Sequence, residues 1–116
     1  MSLAIKRVYE PVSAKDGYRI LVDRLWPRGL SKERAEVDLW LKDIAPSTEL
    51  RRWFGHDPGK WNGFRRKYSA ELATHAEEVA QIRKLAKRRR VTLVYGARDT
   101  EYNDAVVLLG YLESRP

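Results

Sequence analysis

The five residues Val91-Thr92-Leu93-Val94-Tyr95 constrain this chain more than any other stretch. They are β-branched or apolar at every position, so neither face of the segment suits water, and a strand buried on both sides is the structure they fit. Basic residues up to Arg90 precede the run and Gly96 follows it, which marks both ends. Such a strand belongs in the middle of a sheet, and the rest of the chain must then supply its neighbours and its cover. Residues 3–10, alternating around Ile5 and Val8 and closing at Glu10-Pro11, read as a second strand, and residues 18–23, with Ile20-Leu21-Val22, as a third. The connection between these two, through Pro11, Ser13, Asp16 and Gly17, is only about eight residues long. A parallel crossover usually takes at least ~10–12 residues, so an antiparallel pair is expected.

Helices account for most of the remainder. Ser31 reads as an N-cap, and Val37, Trp40, Leu41 and Ile44 then follow the spacing of one buried helical face until Pro46. Ser47 can cap a short helix through Trp53 and Phe54 that Gly55 stops. Asp57-Pro58 is a start signal for the next, whose apolar stripe is Trp61, Phe64, Tyr68 and Leu72. Val79, Ile82, Leu85 and Ala86 continue that stripe, and Thr74 and His75 weaken it, so a break is expected within residues 73–76. A last helix is expected over residues 100–113. The order β-β-α-α-α-α-β-α predicts an α/β fold in a single small domain, residues 1–116, with about three strands in a mixed sheet packed by four to five helices.

Composition narrows the chemistry. The 116 residues include no Cys, which excludes disulfides, cysteine-ligated zinc, iron–sulfur clusters and thiol nucleophiles. With only His56 and His75, a histidine-rich metal site is not expected, and no metal or cofactor is assigned. No apolar run approaches the ~20 residues of a spanning helix, and the first residues lack a signal-peptide pattern, so a soluble cytoplasmic protein is expected, with no membrane partner. Phosphate-binding, dinucleotide-binding and nucleophile-elbow motifs are all missing. The net charge of +7 is largely one segment: residues 83–90 hold six basic residues and no acidic one. Cations in the last turn of a helix complement its dipole; a polyanion contact is the other reading of the same run.

The polar strand ends carry the functional signal. In open α/β sheets ligands collect beyond the carboxyl ends of strands. One strand empties into Asp23-Arg24-Leu25-Trp26-Pro27-Arg28-Gly29, and another into Gly96-Ala97-Arg98-Asp99 with Asn103 at a helix start. Were these ends adjacent, Arg24, Arg28 and Arg98 would supply cationic forks, Gly29 and Gly96 close backbone approach, and Trp26 or Tyr95 a stacking surface. A phosphate- or carboxylate-bearing small molecule, a nucleotide-like one included, is the ligand class these groups suit. The alternative is structural: Asp23 and Asp99 pairing with nearby Arg, and Asp99 capping the last helix. His56, in a turn between helices, is either a proton-transfer group or a solvated corner.

Four ordered segments resemble the YeaO-like bacterial proteins, the domain-of-unknown-function family 488. They are Val22-Asp23-Arg24-Leu25-Trp26-Pro27-Arg28-Gly29, Trp40-Leu41-Lys42-Asp43-Ile44-Ala45-Pro46-Ser47, Trp53-Phe54-Gly55-His56-Asp57-Pro58 and Thr92-Leu93-Val94-Tyr95-Gly96-Ala97-Arg98-Asp99. The resemblance spans nearly the whole chain and raises His56 to a candidate site residue. Family members often carry Glu-His-Asn before the last helix, where this chain has Glu101-Tyr102-Asn103, so no histidine role carries over there. The leading expectation is an anion or nucleotide-like ligand held by Arg24, Trp26, Arg28, Gly29 and Arg98. Were the protein an enzyme, Asp23 or His56 would exchange protons, and Asp99 and Asn103 would orient the substrate. The alternative is a non-enzymatic module that uses residues 83–90 to bind nucleic acid or an acidic partner; oligomeric state is left open.

Overall fold

The computed structural model describes residues 1–114. Its sheet has four strands, β1 (Leu3–Arg7), β2 (Tyr18–Leu21), β3 (Leu39–Trp40) and β4 (Val91–Tyr95), in the order β1-β4-β2-β3. Every pairing is parallel. All five residues of β4 are buried, as its composition requires, and it lies between β1 and β2. The α/β class is as expected, but the sheet is four-stranded and all parallel rather than three-stranded and mixed.

The antiparallel expectation fails because β1 and β2 are not neighbours. The link between them, ten residues from Val8 to Gly17, returns to the amino edge of the sheet on the far side of β4. Ten extended residues reach at most ~33–36 Å, against roughly 17 Å of strand and ~10 Å of lateral step, so no helix is needed. The crossing is fastened by Asp16, which lies in a 3₁₀ turn (Ala14–Asp16) started by a Ser13 capping box. Its carboxylate accepts from Arg19 Nη1 at 2.7 Å and from Lys6 Nζ at 3.1 Å, and its carbonyl accepts from Thr92 Oγ1 at 2.7 Å. Burial pushes the Asp16 carboxyl up, but hydrogen bonds from Ser13, Lys6 and Arg19 outweigh it and hold the group below its ordinary value.

The expected helix through Val37, Trp40 and Ile44 is absent. Ser31 does cap a helix, α1 (Lys32–Ala35), but Glu36 turns left-handed at φ 45° and ends it after four residues. The chain then extends: Leu39 and Leu41 pack on the larger core and Trp40 between them on the smaller, the period-two alternation of a strand, while Val37, ahead of the strand, also packs on the smaller. The other caps hold. Ser47 starts α2 (Thr48–Phe54), Gly55 ends it at φ 54°, and Asp57 accepts from Gly59 N at the start of a 3₁₀ turn that leads into α3 (Trp61–Ala73). The break separates α3 from α4 (Ala76–Arg88), inside the expected window. The last helix, α5 (Asp104–Glu113), begins later than expected, with Asn103 rather than Asp99 as its cap.

The larger core lies where the inner faces of α2 to α5 meet Ile20, Val22, Val91, Leu93 and Tyr95. The opposite face carries a small cluster, Val8, Leu21, Ala35 and Val94, backed by Trp26, Leu30, Val37 and Trp40. At Gly17, φ is +66° and a Cβ would collide with the Arg90 backbone oxygen, so Gly17→Ala should lose about 2 kcal/mol or more. Gly110→Ala, mid-helix with open space at the Cβ, should instead gain about 0.5–1 kcal/mol. Urea denaturation of the two variants checks both signs.

Candidate functional site

Parallel strands deliver their carboxyl ends to one edge, and here β2 and β4 end side by side. The chain leaving each walls a cavity of about 560 Å³. Asp23 joins the two walls: its Oδ2 accepts from Gly96 N at 2.7 Å, and its carbonyl accepts from Trp40 Nε1 at 2.7 Å. Gly96 lets the carboxylate come this close, since a Cβ there would sit 3.2 Å from the same oxygen.

Three segments complete the enclosure. From β2 come Arg24, Leu25, Trp26 and Arg28. From α2 come Thr48, Arg51 and Arg52; Leu50 and Phe54 turn the opposite side of that helix into the core, and Glu71 pins its start by accepting from Ser47 N at 2.8 Å and Ser47 Oγ at 2.6 Å. From the approach to α5 come Tyr102, Asn103 and Asp104. Phe54 and Phe64, stacked at 4.4 Å, form an apolar part of the lining.

Cations dominate the lining: Arg24, Arg28, Arg51 and Arg52 against Asp23 and Asp104. None of the ion pairs among the described residues involves these six groups. Arg28, Arg51 and Arg52 are exposed, whereas Arg24 is half-buried and incompletely satisfied. Its Nη2 lies 3.4 Å from the carbonyl oxygens of Ala45 and Pro46, at the outer limit for a hydrogen bond, and its buried Nε has no partner among the described residues. A buried donor without an acceptor is costly, and an anion in the cavity is the kind of group that would relieve it.

The two carboxyls differ from ordinary aspartates. Burial pushes Asp104 up to about 7; the Asp23 charge adds to the effect, while backbone N–H groups at the helix start and Arg51 oppose it. Burial also raises Asp23, against the Gly96 N–H and Arg51. With a folded-state value of about 7, Asp104 is protonated in a large share of molecules near neutral pH, which leaves the cavity more positive than a count of its side chains implies.

Of the residues expected at the site, Asp23, Arg24, Trp26, Arg28, His56 and Asn103 line the cavity, whereas Gly29, Arg98 and Asp99 do not. Gly29 occupies a turn at φ 78°, and Arg98 is exposed. Asp99 is exposed too and accepts from Tyr102 N and Glu101 N, bonds that hold its carboxyl below the ordinary value. Asn103 is committed on both sides, its Oδ1 accepting from Val106 N at 3.0 Å and its Nδ2 donating to the Asp99 carbonyl at 2.8 Å. Trp26 is fixed by a 2.6 Å bond from Nε1 to the Leu30 carbonyl and an edge-to-face contact with Trp40. His56 stands exposed at the mouth with φ 56°. Sequence reasoning missed Arg51, Arg52 and Asp104; the one available signal was the position of the two arginines immediately before the Trp53-Phe54-Gly55-His56 segment.

Residues 2–115 match a protein-family model described as "Inactive DUF488-N3 subclade". The chain is 47% identical over 114 residues to the uncharacterised protein YeaO of Escherichia coli, covering 98% of this chain and 99% of that protein. It is 42% identical over 111 residues to uncharacterised proteins of Mycobacterium bovis and Mycobacterium tuberculosis, covering 96% of this chain and 93% of each. No solved structure matches the chain significantly.

An acid whose folded-state pKa is raised favours the folded state while protonated, and that advantage is lost as pH rises from the ordinary carboxylate range to the folded value. For Asp104 the window runs from about 4 to about 7. Asp104→Asn should match the wild type in thermal stability near pH 4 and exceed it at pH 8. Melting curves across that range read the difference, and identical pH profiles would contradict the assignment.

Proposed function

The chain belongs to the YeaO-like DUF488 family, in a subclade described as inactive, and from that premise we propose that it is a binding protein for a small phosphate- or carboxylate-bearing ligand rather than an enzyme. The buried, unpartnered Nε of Arg24 carries this reading. Arg28, Arg51 and Arg52 bring further positive charge to the same cavity, and guanidinium forks match the geometry of phosphate and carboxylate oxygens. Trp26, Phe54 and Phe64 offer a nucleotide-like ligand apolar surface for its flat ring.

Tyr102 supports binding over catalysis. It stands where the family resemblance places a histidine, and its ring packs edge-on against Trp61 at 5.2 Å. In this reading Asp23 spans the walls through Gly96 N, protonation of Asp104 adjusts the cavity's charge, and the exposed imidazole of His56 lies on the cavity lining. The basic segment 83–90 is the weaker candidate for a binding surface. Arg83 donates to the carbonyls of Tyr111, Leu112 and Ser114, Arg89 lies over the Tyr18 ring and Arg90 donates to Ser2 Oγ, so half of its six cations have intramolecular work.

Thermal melting with inorganic phosphate, nucleoside monophosphates and sugar phosphates tests the assignment. A ligand at ~100 times its Kd adds roughly 2.7 kcal/mol, a shift of several degrees in a domain of this size. Arg24→Ala should melt close to the wild type without ligand and lose at least about tenfold in affinity, because it removes a charge-assisted contact. An undiminished shift in that variant, or no shift with any of these anions, would overturn the proposal.

A further inference from the structure

A second basic surface adjoins the cavity. Residues 51–67 hold six cations, Arg51, Arg52, Lys60, Arg65, Arg66 and Lys67, against the single acidic residue Asp57. All six are exposed. Among them lies Trp53, a tryptophan with 38% of its surface open to solvent. Its indole rests against Gly63, where a Cβ would come within 2.8 Å of Cη2. Lys60 Nζ and Lys67 Nζ lie over the ring at 5.3 and 5.0 Å from its centroid, and Lys60 also donates to the Trp53 carbonyl at 2.8 Å. Residues 60, 63 and 67 follow helical spacing, so the cation, the gap and the second cation form one stripe. The result is a positioned, exposed aromatic ring beside two lysines, and it follows directly in the chain on Arg51 and Arg52 of the cavity wall.

None of these six cations is in an ion pair among the described residues, and an exposed aromatic ring among such cations is the arrangement that receives single-stranded nucleic acid: bases stack on the ring and phosphates meet the charges, with little dependence on sequence. Among the described residues, the segment 83–90 meets aromatic rings where Arg89 lies over the half-buried Tyr18 and Arg83 over the half-buried Tyr111, neither of them an exposed ring. We propose that the Trp53 ledge, with Lys60 and Lys67, binds a single-stranded oligonucleotide whose terminal phosphate-bearing nucleotide enters the Arg24 cavity. The ligand class thus rests on the cavity reading, and the ledge adds the requirement for a chain rather than a free mononucleotide.

Titration by fluorescence anisotropy with a labelled, 5′-phosphorylated single-stranded pentanucleotide, competed by the matching mononucleotide, tests this. The pentanucleotide should bind at least about tenfold more tightly than the mononucleotide, and its affinity should fall with added salt. Trp53→Leu and the double variant Lys60→Glu/Lys67→Glu should remove that advantage and leave mononucleotide affinity unchanged, while Trp53→Tyr, which keeps a stacking face, should restore it. Arg24→Ala should weaken both ligands. Equal affinity for the two ligands would overturn the ledge and leave the cavity standing; pentanucleotide binding that needs Trp53 but ignores Arg24 would overturn the joint site through its cavity half. Duplex bound as tightly as single strand, or binding to anionic phosphatidylserine vesicles without oligonucleotide binding, would overturn the ledge assignment.

Discussion

The cavity exists because β4 has a parallel strand on each side. Five consecutive buried residues leave that strand no solvent-facing side, and pairing with β1 and β2 satisfies its backbone groups. Since all three strands run the same way, the chains leaving β2 and β4 emerge at one edge. There the Asp23 carboxylate bonds to Gly96 N and makes one wall of two loops. Polar chemistry is concentrated at this edge because the loops, unlike the strands, are free of the demand for apolar residues.

The two faces of the sheet solve their burial differently. One is covered by α2 to α5 and holds the larger core. The other divides along the strands: Leu21, Val94 and Val8 form an apolar cluster toward the carboxyl edge, while Arg19 and Thr92 meet Asp16 toward the amino edge, where the side chain of Lys6, a residue level with Val94, also reaches it. Asp16 therefore does for this face what a crossover helix does in larger α/β proteins, anchoring the return of the chain from β1 to β2. The helix-covered face also supplies the third side of the cavity, since α2 buries Leu50 and Phe54 while presenting Arg51 and Arg52 to it.

What the sequence makes legible is what local chemistry decides. The strand Val91–Tyr95, the caps at Ser31, Ser47 and Asp57 and the stop at Gly55 depend on the residues in and beside them. Strand direction does not; it is set by β4, more than seventy residues beyond β1 and brought between β1 and β2 only by tertiary pairing. Residues 37–44 mislead because Val37, Trp40, Leu41 and Ile44 fit a helical stripe, whereas the alternation of the strand is carried by Leu39, Trp40 and Leu41 alone, and the left-handed turn at Glu36, a residue type that does not favour it, decides the matter. That a cavity would lie at the strand-end loops was readable through the general rule for open α/β sheets. Arg51, Arg52 and Asp104 were not, because a charge on a helix reads the same whether it faces water or a cavity.

The central claim is that an anion binds where β2, β4 and the start of α5 converge. Amide chemical-shift mapping during titration with a nucleoside monophosphate tests it most directly. The account predicts that the largest perturbations fall on Asp23 to Trp26, on Gly96 and on Asn103 to Ala105, with a smaller group on Arg51 and Arg52. Perturbations confined to residues 83–90, or spread evenly over the basic surface, would contradict it.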